Sequence, residues 1–250
     1  MPDILVVIPT RERRALLADA LASVAAQEHL PKRVVVCDVG DYSPIDPPRE
    51  LAGRLTHLRS QAATVGTQRN EAVAAAPGDL ITFLDDDDRW RPEHLAGLAA
   101  AFQDASVDFA YRDTAVLRER IEDGRRVVLE ERVIARDWDP ALMHTHDYIA
   151  PSAWCVRRSC FESLGGFDPA FRYSDDWDFL MRLARVTQPR RVPGIGAEIR
   201  MREADNASLD AGAERRADLH RLEERYGLPP IEPLTFWEVA EIVGRRPRMT

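Results

Sequence analysis

The chain has 250 residues, 45% of them hydrophobic, and a formal net charge of −8 at pH 7. That length holds one large α/β domain or two small ones, with enough apolar content for a real core. The acidic balance and the lack of a Lys/Arg block argue against a nucleic-acid-binding surface, so any phosphate must be met locally, by a metal, an arginine or backbone amides.

In chain order, residues 4–8 (Ile-Leu-Val-Val-Ile), 34–37 (Val-Val-Val-Cys) and 80–84 (Leu-Ile-Thr-Phe-Leu) are continuous apolar runs of strand length. Such runs suit strands covered on both faces of a parallel sheet. Helices are expected between them: one carrying Leu17, Leu21 and Val24, one over 67–76 ended by Pro77-Gly78, and one starting at Pro92 that buries Leu95, Leu98 and Phe102. This alternation predicts a βαβαβα half, in which ligands sit beyond the carboxyl ends of the strands.

The second half is less regular. Residues 107–111, 127–134 (after the turn Asp123-Gly124) and 153–156 read as strands, 179–186 as a helix after Ser174-Asp175-Asp176, and 192–201 as extended. Residues 209–226 are charged and helical, with Leu219 and Leu222 on one face. The tail cluster Leu234, Phe236, Trp237, Val239 and Ile242 reads as a helix docked on the body, with a homodimer contact as the alternative. The expected organisation is a domain over 1–208, divided at 104/105 into a nucleotide-binding and an acceptor-binding half, followed by a helical extension over 209–250.

Four aspartates, Asp85 to Asp88, follow the third strand directly. Two carboxylates about 4 Å apart repel by about 1 kcal/mol in water and about 4 kcal/mol near a protein surface, so the run calls for a cation. A divalent metal can take one or two carboxylates from an Asp-x-Asp pair, with waters and a substrate phosphate completing its shell; a solvated acidic turn capping the next helix is the alternative. Thr10 and Arg11 after the first strand and Asp38 after the second put polar groups at the same sheet edge.

The ordered motifs Val-Val-Ile-Pro-Thr at 6–10, Leu-Ala-Ser-Val-Ala-Ala-Gln at 21–27, Gly66 with Gln68-Arg69-Asn70, Ala-Pro-Gly-Asp at 76–79, Phe-Leu-Asp-Asp-Asp-Asp at 83–88, Leu-Gly-Gly-Phe-Asp at 164–168 and Ser-Asp-Asp-Trp-Asp at 174–178 with Arg182 resemble the family 2 glycosyltransferases. The resemblance covers roughly residues 4–208. It implies the GT-A fold, a mostly parallel Rossmann-like sheet flanked by helices, and inverting transfer of one sugar from a UDP-, GDP- or dTDP-type donor to an acceptor hydroxyl, assisted by Mn2+ or Mg2+. Position by position, it implies Pro9, Thr10 and Arg11 at the nucleobase, Asp38 near base and ribose, Arg69 toward base or phosphates and Asp86 on the ribose. Asp85 opens the Asp-x-Asp pair, Asp87 holds the metal, Asp176 is the general base, and Asp175 and Trp177 lie near the acceptor.

Three departures stand out. Val39 follows Asp38 where the family commonly has a second acid, Arg11-Glu12 replaces Tyr-Asn, and Arg202 stands where a histidine often precedes Asn-x-Ser, here 206–208. No Gln-x-x-Arg-Trp motif of processive members occurs, so the expectation is non-processive.

Competing readings are a catalytically silent nucleotide- or sugar-binding partner of the same fold and a metal-dependent nucleotide-sugar hydrolase. His144-Thr145-His146-Asp147 lacks the fuller spacing of a metallohydrolase and reads better as a polar loop near the acceptor cleft; Gly194-Ile195-Gly196 reads as a turn, and Trp154 as a core residue or an acceptor-stacking ring. No apolar stretch reaches the roughly 18 residues that span a bilayer, Met1-Pro2-Asp3 does not open a signal peptide, and Cys37, Cys155 and Cys160 lack paired spacing. These features predict a soluble cytoplasmic protein with ordinary thiols, compatible with a peripheral place at a membrane.

Overall fold

Each residue of the first strand is buried, with Leu5 and Val7 facing one side of the sheet and Ile4, Val6 and Ile8 the other. The computed structural model describes residues 2–40, 44–122, 125–202 and 212–246. The turn Asp123-Gly124, the 206–208 segment, the expected 208/209 boundary and the last residues of the tail lie outside them.

The elements run β1 (Ile4–Thr10), α1 (Arg14–Ala25), β2 (Arg33–Asp38), β3 (Leu55–Arg59), α2 (Val65–Ala75), β4 (Leu80–Phe83), β5 (Arg89–Trp90), α3 (His94–Ala101), β6 (Phe109–Glu122), β7 (Arg125–Ile134), α4 (Pro140–Met143), β8 (Trp154–Arg157), α5 (Arg158–Ser163), α6 (Asp175–Leu183), β9 (Arg190–Arg202), α7 (Gly212–Tyr226) and α8 (Phe236–Val243). Among the described residues nine strands form one sheet in the order β3-β2-β1-β4-β8-β6-β9-β5, with β7 on β6.

Pairing is parallel through β3-β2-β1-β4 and mixed beyond, because β8 runs antiparallel to both β4 and β6. In the parallel part Thr10 pairs with Asp38, so the first two strands end level and carry their polar tips to one edge. The strand β3 has no continuous apolar run, since it lies at the sheet edge with only partial cover. Gly194-Ile195-Gly196 lies inside β9, where its register with β6 breaks.

The two faces hold two cores. One packs α1 and α3 through Leu17, Leu21, Val24, Leu95 and Leu98. The other packs α2, α5 and α6, and Trp154 stacks on Phe179 there at 5.6 Å, which makes Trp154 a core residue. Gly78 has to be glycine-sized: a Cβ there would meet the Leu5 side chain at 2.8 Å.

The extension joins the same core. Leu219 and Leu222 of α7 and Trp237, Val239 and Val243 of α8 are buried with the body, and Arg245 pairs with Val133 beside β7. Of its apolar cluster, Trp237 and Val239 are buried within the chain, Leu234 and Phe236 are half-buried, and Ile242 is exposed.

Candidate active site

The acidic run forms a tight turn past β4, closed by the Asp88 amide donating to the Asp85 carbonyl at 3.0 Å. Ser152 locks it: the hydroxyl donates to Asp88 at 2.6 Å and accepts from the Asp85 amide at 3.1 Å. Asp88 is therefore the residue that shapes the turn, and its other oxygen accepts the Arg200 amide at 3.2 Å.

The other three carboxylates meet different partners. Asp86 accepts from the Thr10 hydroxyl at 2.6 Å, Asp85 from Arg69 at 2.6 Å, and Asp87 from Arg202 at 2.8 Å and Arg13 at 3.2 Å. Even so, burial together with the Asp87 charge pushes Asp86 up to about 7, and burial together with Asp85 raises Asp87 despite its two arginines. Burial first, and then the crowding of the carboxylates, thus disfavour the charged forms of Asp86 and Asp87.

Two cavities meet at this turn. The first, about 410 Å³, is bordered by Pro9, Thr10, Arg11 and Arg13 on one side and by Arg69, Asp86 and Asp175 on the other. The second, about 240 Å³, lies against α6 and the extension and is bordered by His146, Asp147, Trp177, Arg215, Leu234 and Phe236. Asp85, Asp87, Tyr173 and Asp176 border both. Glu12 takes a positive φ of 53°, an uncommon conformation for a side-chain-bearing residue, in the turn that carries Arg11 and Arg13 to the first cavity.

The paired aspartates that open α6 separate into two environments. Asp175 is buried and accepts from Arg69 at 3.0 Å, whereas Asp176 is partly exposed where the cavities join. Burial and then the Asp175 charge push Asp176 up to about 7, a value suited to accepting a proton near neutral pH.

Several expected residues are placed differently from their expected surroundings. Arg69 is 3% exposed and bridges Asp85 to Asp175, with its guanidinium over the Phe167 ring. Asp38 is 1% exposed, accepts from Arg14 at 2.8 Å, sits 3.0 Å from His57 Nε2 and borders neither cavity. Trp177 touches the second cavity, but its indole is largely buried and donates to the Met143 carbonyl at 2.8 Å. Arg182 ties α6 to the turn after α5, donating to Asp178 at 2.8 Å and to the Leu164 and Gly166 carbonyls.

Arg13, Tyr173 and Arg215 border the cavities and were not singled out by motif, whereas the expected polar loop His144-Thr145-His146-Asp147 does border the second cavity through Thr145, His146 and Asp147. Arg13 belongs to a charge-dense stretch past the first strand, which was a usable signal; Arg215 lies in a helix whose composition reads as solvent-facing. The three cysteines are buried, and burial lifts the Cys37 and Cys160 thiols to about 11, which disfavours their thiolate forms. Among the described residues no group of three or more His, Cys, Asp or Glu side chains is placed to hold a metal ion by itself, and no helix is long and apolar enough to cross a membrane.

An α/β sheet with an acidic turn between two cavities is the architecture of a GT-A glycosyltransferase. Residues 5–165 match the profile of glycosyl transferase family 2, and the chain belongs to that family. It is an enzyme of nucleotide-sugar-dependent glycosyl transfer.

The uncharacterized glycosyltransferase YwdF of Bacillus subtilis is 29% identical over 235 residues, covering 92% of this chain and 87% of YwdF. The O-antigen biosynthesis protein RfbC of Myxococcus xanthus is 28% identical over 194 residues, 74% of this chain but 15% of RfbC. The mannosyltransferase PcManGT from Pyrobaculum calidifontis, solved with GDP-Man and Mn2+, shares the fold with a TM-score of 0.61 at 17% identity, over 96% of this chain and 68% of that one.

Proposed function

We propose that this chain transfers one glycosyl unit per encounter from a nucleoside-diphosphate sugar to an acceptor hydroxyl, with inversion at the anomeric carbon. The observation that carries the reading is that Asp87 and Asp176 both border the junction of the two cavities. The first cavity receives the donor and the second the acceptor, so the reacting carbon lies between the two carboxylates.

In the donor cavity Pro9, Thr10 and Arg11 face the base, and Asp86, held by Thr10, faces the ribose. Asp38 supports this edge from beneath through Arg14 and His57. The acidic turn fits a divalent metal: its donors are hard carboxylate oxygens crowded at one turn, and Asp85 and Asp87 both reach the cavities. Mn2+ in PcManGT supports the same expectation. When bound by Asp87 with Asp85, the metal supplies Lewis-acid stabilisation of the leaving diphosphate. Arg13 and Arg202, already at Asp87, add guanidinium donors for the same oxygens.

On the other side Asp176 accepts the proton of the attacking hydroxyl as that oxygen bonds to the anomeric carbon. The bond from that carbon to the diphosphate oxygen breaks, and its electron pair leaves with the nucleotide. Asp175 cannot take that proton while it is paired with Arg69; instead it raises the basicity of its neighbour.

A thermal-shift panel of UDP-, GDP- and dTDP-sugars with and without Mn2+ or Mg2+ tests the donor side, because a ligand at 100 times its dissociation constant stabilises by about 2.7 kcal/mol. One nucleotide class is expected to stabilise in a metal-dependent way. Stabilisation by none overturns the reading; tight binding with no transfer to any acceptor supports the silent partner, and acceptor-independent release of free sugar supports the hydrolase.

A further inference from the structure

The loop before β8 holds a carboxylate that the reaction outlined above does not use. Asp147 follows α4, whose start is capped by Asp139 accepting from the Ala141 and Leu142 amides at 3.0 and 3.1 Å. It precedes the buried Tyr148, whose hydroxyl accepts the Asp139 amide at 2.8 Å and donates to the Asp137 carbonyl at 3.2 Å. Anchored on both sides, Asp147 has little freedom to turn toward solvent.

The residue is partly exposed, yet its Oδ1 is buried and has no hydrogen-bond partner among the described residues. Buried carboxyl oxygens are rarely left unpaired. Asp147 borders the acceptor cavity together with Asp176, Thr145, His146 and Arg215. Burial and then the Asp176 charge raise its pKa well above the usual carboxylate range, against a backbone hydrogen bond at Ile149 and the Arg215 charge. Arg215 is the cation that acts on both carboxyl groups.

We propose that Asp147 binds a second hydroxyl of the acceptor while Asp176 engages the attacked one. The acceptor is therefore a polyol, such as a sugar, rather than a monohydroxy compound, and Asp147 selects which of its hydroxyls reacts. The proposal rests on the glycosyl-transfer reading of the site and adds to it a residue that sets regiochemistry. The apolar side chains of Leu234, Phe236 and Ile199 border the same cavity and suit the C–H face of such a ring.

The test uses the full-length chain with methyl glycosides of glucose, galactose and mannose, their mono-deoxy congeners and simple alcohols as acceptors. Wild type, Asp147→Asn and Asp147→Ala are first matched for thermal unfolding and for donor-induced stabilisation. Expected are a rise in acceptor KM of roughly tenfold or more, a smaller change in kcat, and products of mixed linkage by NMR. One deoxy congener should cost the wild type a similar factor and cost the variants nothing further. Unchanged acceptor KM and a single linkage in both variants, an additive deoxy penalty, or simple alcohols serving as well as polyols overturns the proposal. Absence of donor-induced stabilisation in the wild type instead overturns the glycosyl-transfer reading beneath it.

Discussion

Arg69 donates to Asp175 at 3.0 Å from a buried position, and its other arm reaches Asp85 at 2.6 Å. One guanidinium thereby ties the donor-side turn to the helix that carries the candidate base. The cation and its carboxylates depend on one another: burial disfavours charge on Arg69 and the Asp85 and Asp175 charges offset it, while burial raises Asp175 and Arg69 opposes that rise. Arg69→Ala should lower stability by about 3–5 kcal/mol, the range for breaking a buried pair by removing one partner. Urea unfolding would show it, and Arg69→Lys should recover only part, because one ammonium cannot span both carboxylates.

Asp176 gives the reaction a pH signature. Its carboxyl must be ionised to accept a proton, so kcat/KM for transfer should climb with pH through about 7 and then level off, as titration in a pH-rate profile would reveal. Asp176→Asn should lose about 10²- to 10⁴-fold in transfer while donor-induced thermal stabilisation persists. Full transfer by that variant would remove Asp176 as the base.

The same shift predicts a stability trend of opposite sense. A carboxyl whose folded pKa is raised adds stability that is complete below the unfolded value of 3.8 and is lost as pH rises through about 7. The melting temperature of the metal-free protein should fall between pH 5 and pH 8, and Asp176→Asn should flatten that fall. A wild-type profile that rises over this range contradicts it.

Asp87 is held at 2.8 Å by Arg202 and 3.2 Å by Arg13, so a metal must share this carboxylate with guanidiniums. Mn2+ binding measured by electron paramagnetic resonance should be weak for the protein alone and tighten with the nucleoside diphosphate, whose oxygens can draw the arginines away. Asp87→Asn should abolish the metal dependence of donor binding, and Arg202→Gln should tighten Mn2+ alone by several-fold.

Asp218 of α7 accepts the Arg172 and Tyr173 amides at 2.7 and 2.8 Å, fixing the segment that leads into Asp175 and Asp176. Asp218→Ala leaves those amides without their acceptor, at a cost of about 1–3 kcal/mol each where they stay dry. Transfer should fall more than donor binding, as kinetics and thermal shift on the same preparation would show.

The parallel half was legible because residues buried on both faces, such as Ile4 to Ile8, leave an unbroken apolar signature. Edge strand β3 was missed because partial cover permits mixed polarity. Aspartates 85–88 announced a charged site, yet the run could not disclose that Asp88 is tied up by Ser152, sixty-four positions away. Arg69 reads as a ligand-facing cation, and only the fold shows that it also bridges Asp85 and Asp175 at the border of the first cavity. The second cavity was the least legible part, since Asp147, Arg215 and Phe236 come from distant segments with no shared motif.

The family profile ends at residue 165, whereas Arg215, Leu234 and Phe236 of the second cavity all come from beyond residue 211. On the proposed assignment, the recipient's berth is furnished in part by a segment that does not border the nucleotide's berth. Exchanging the tail between such enzymes offers a direct way to redirect where the sugar goes while leaving untouched what is delivered.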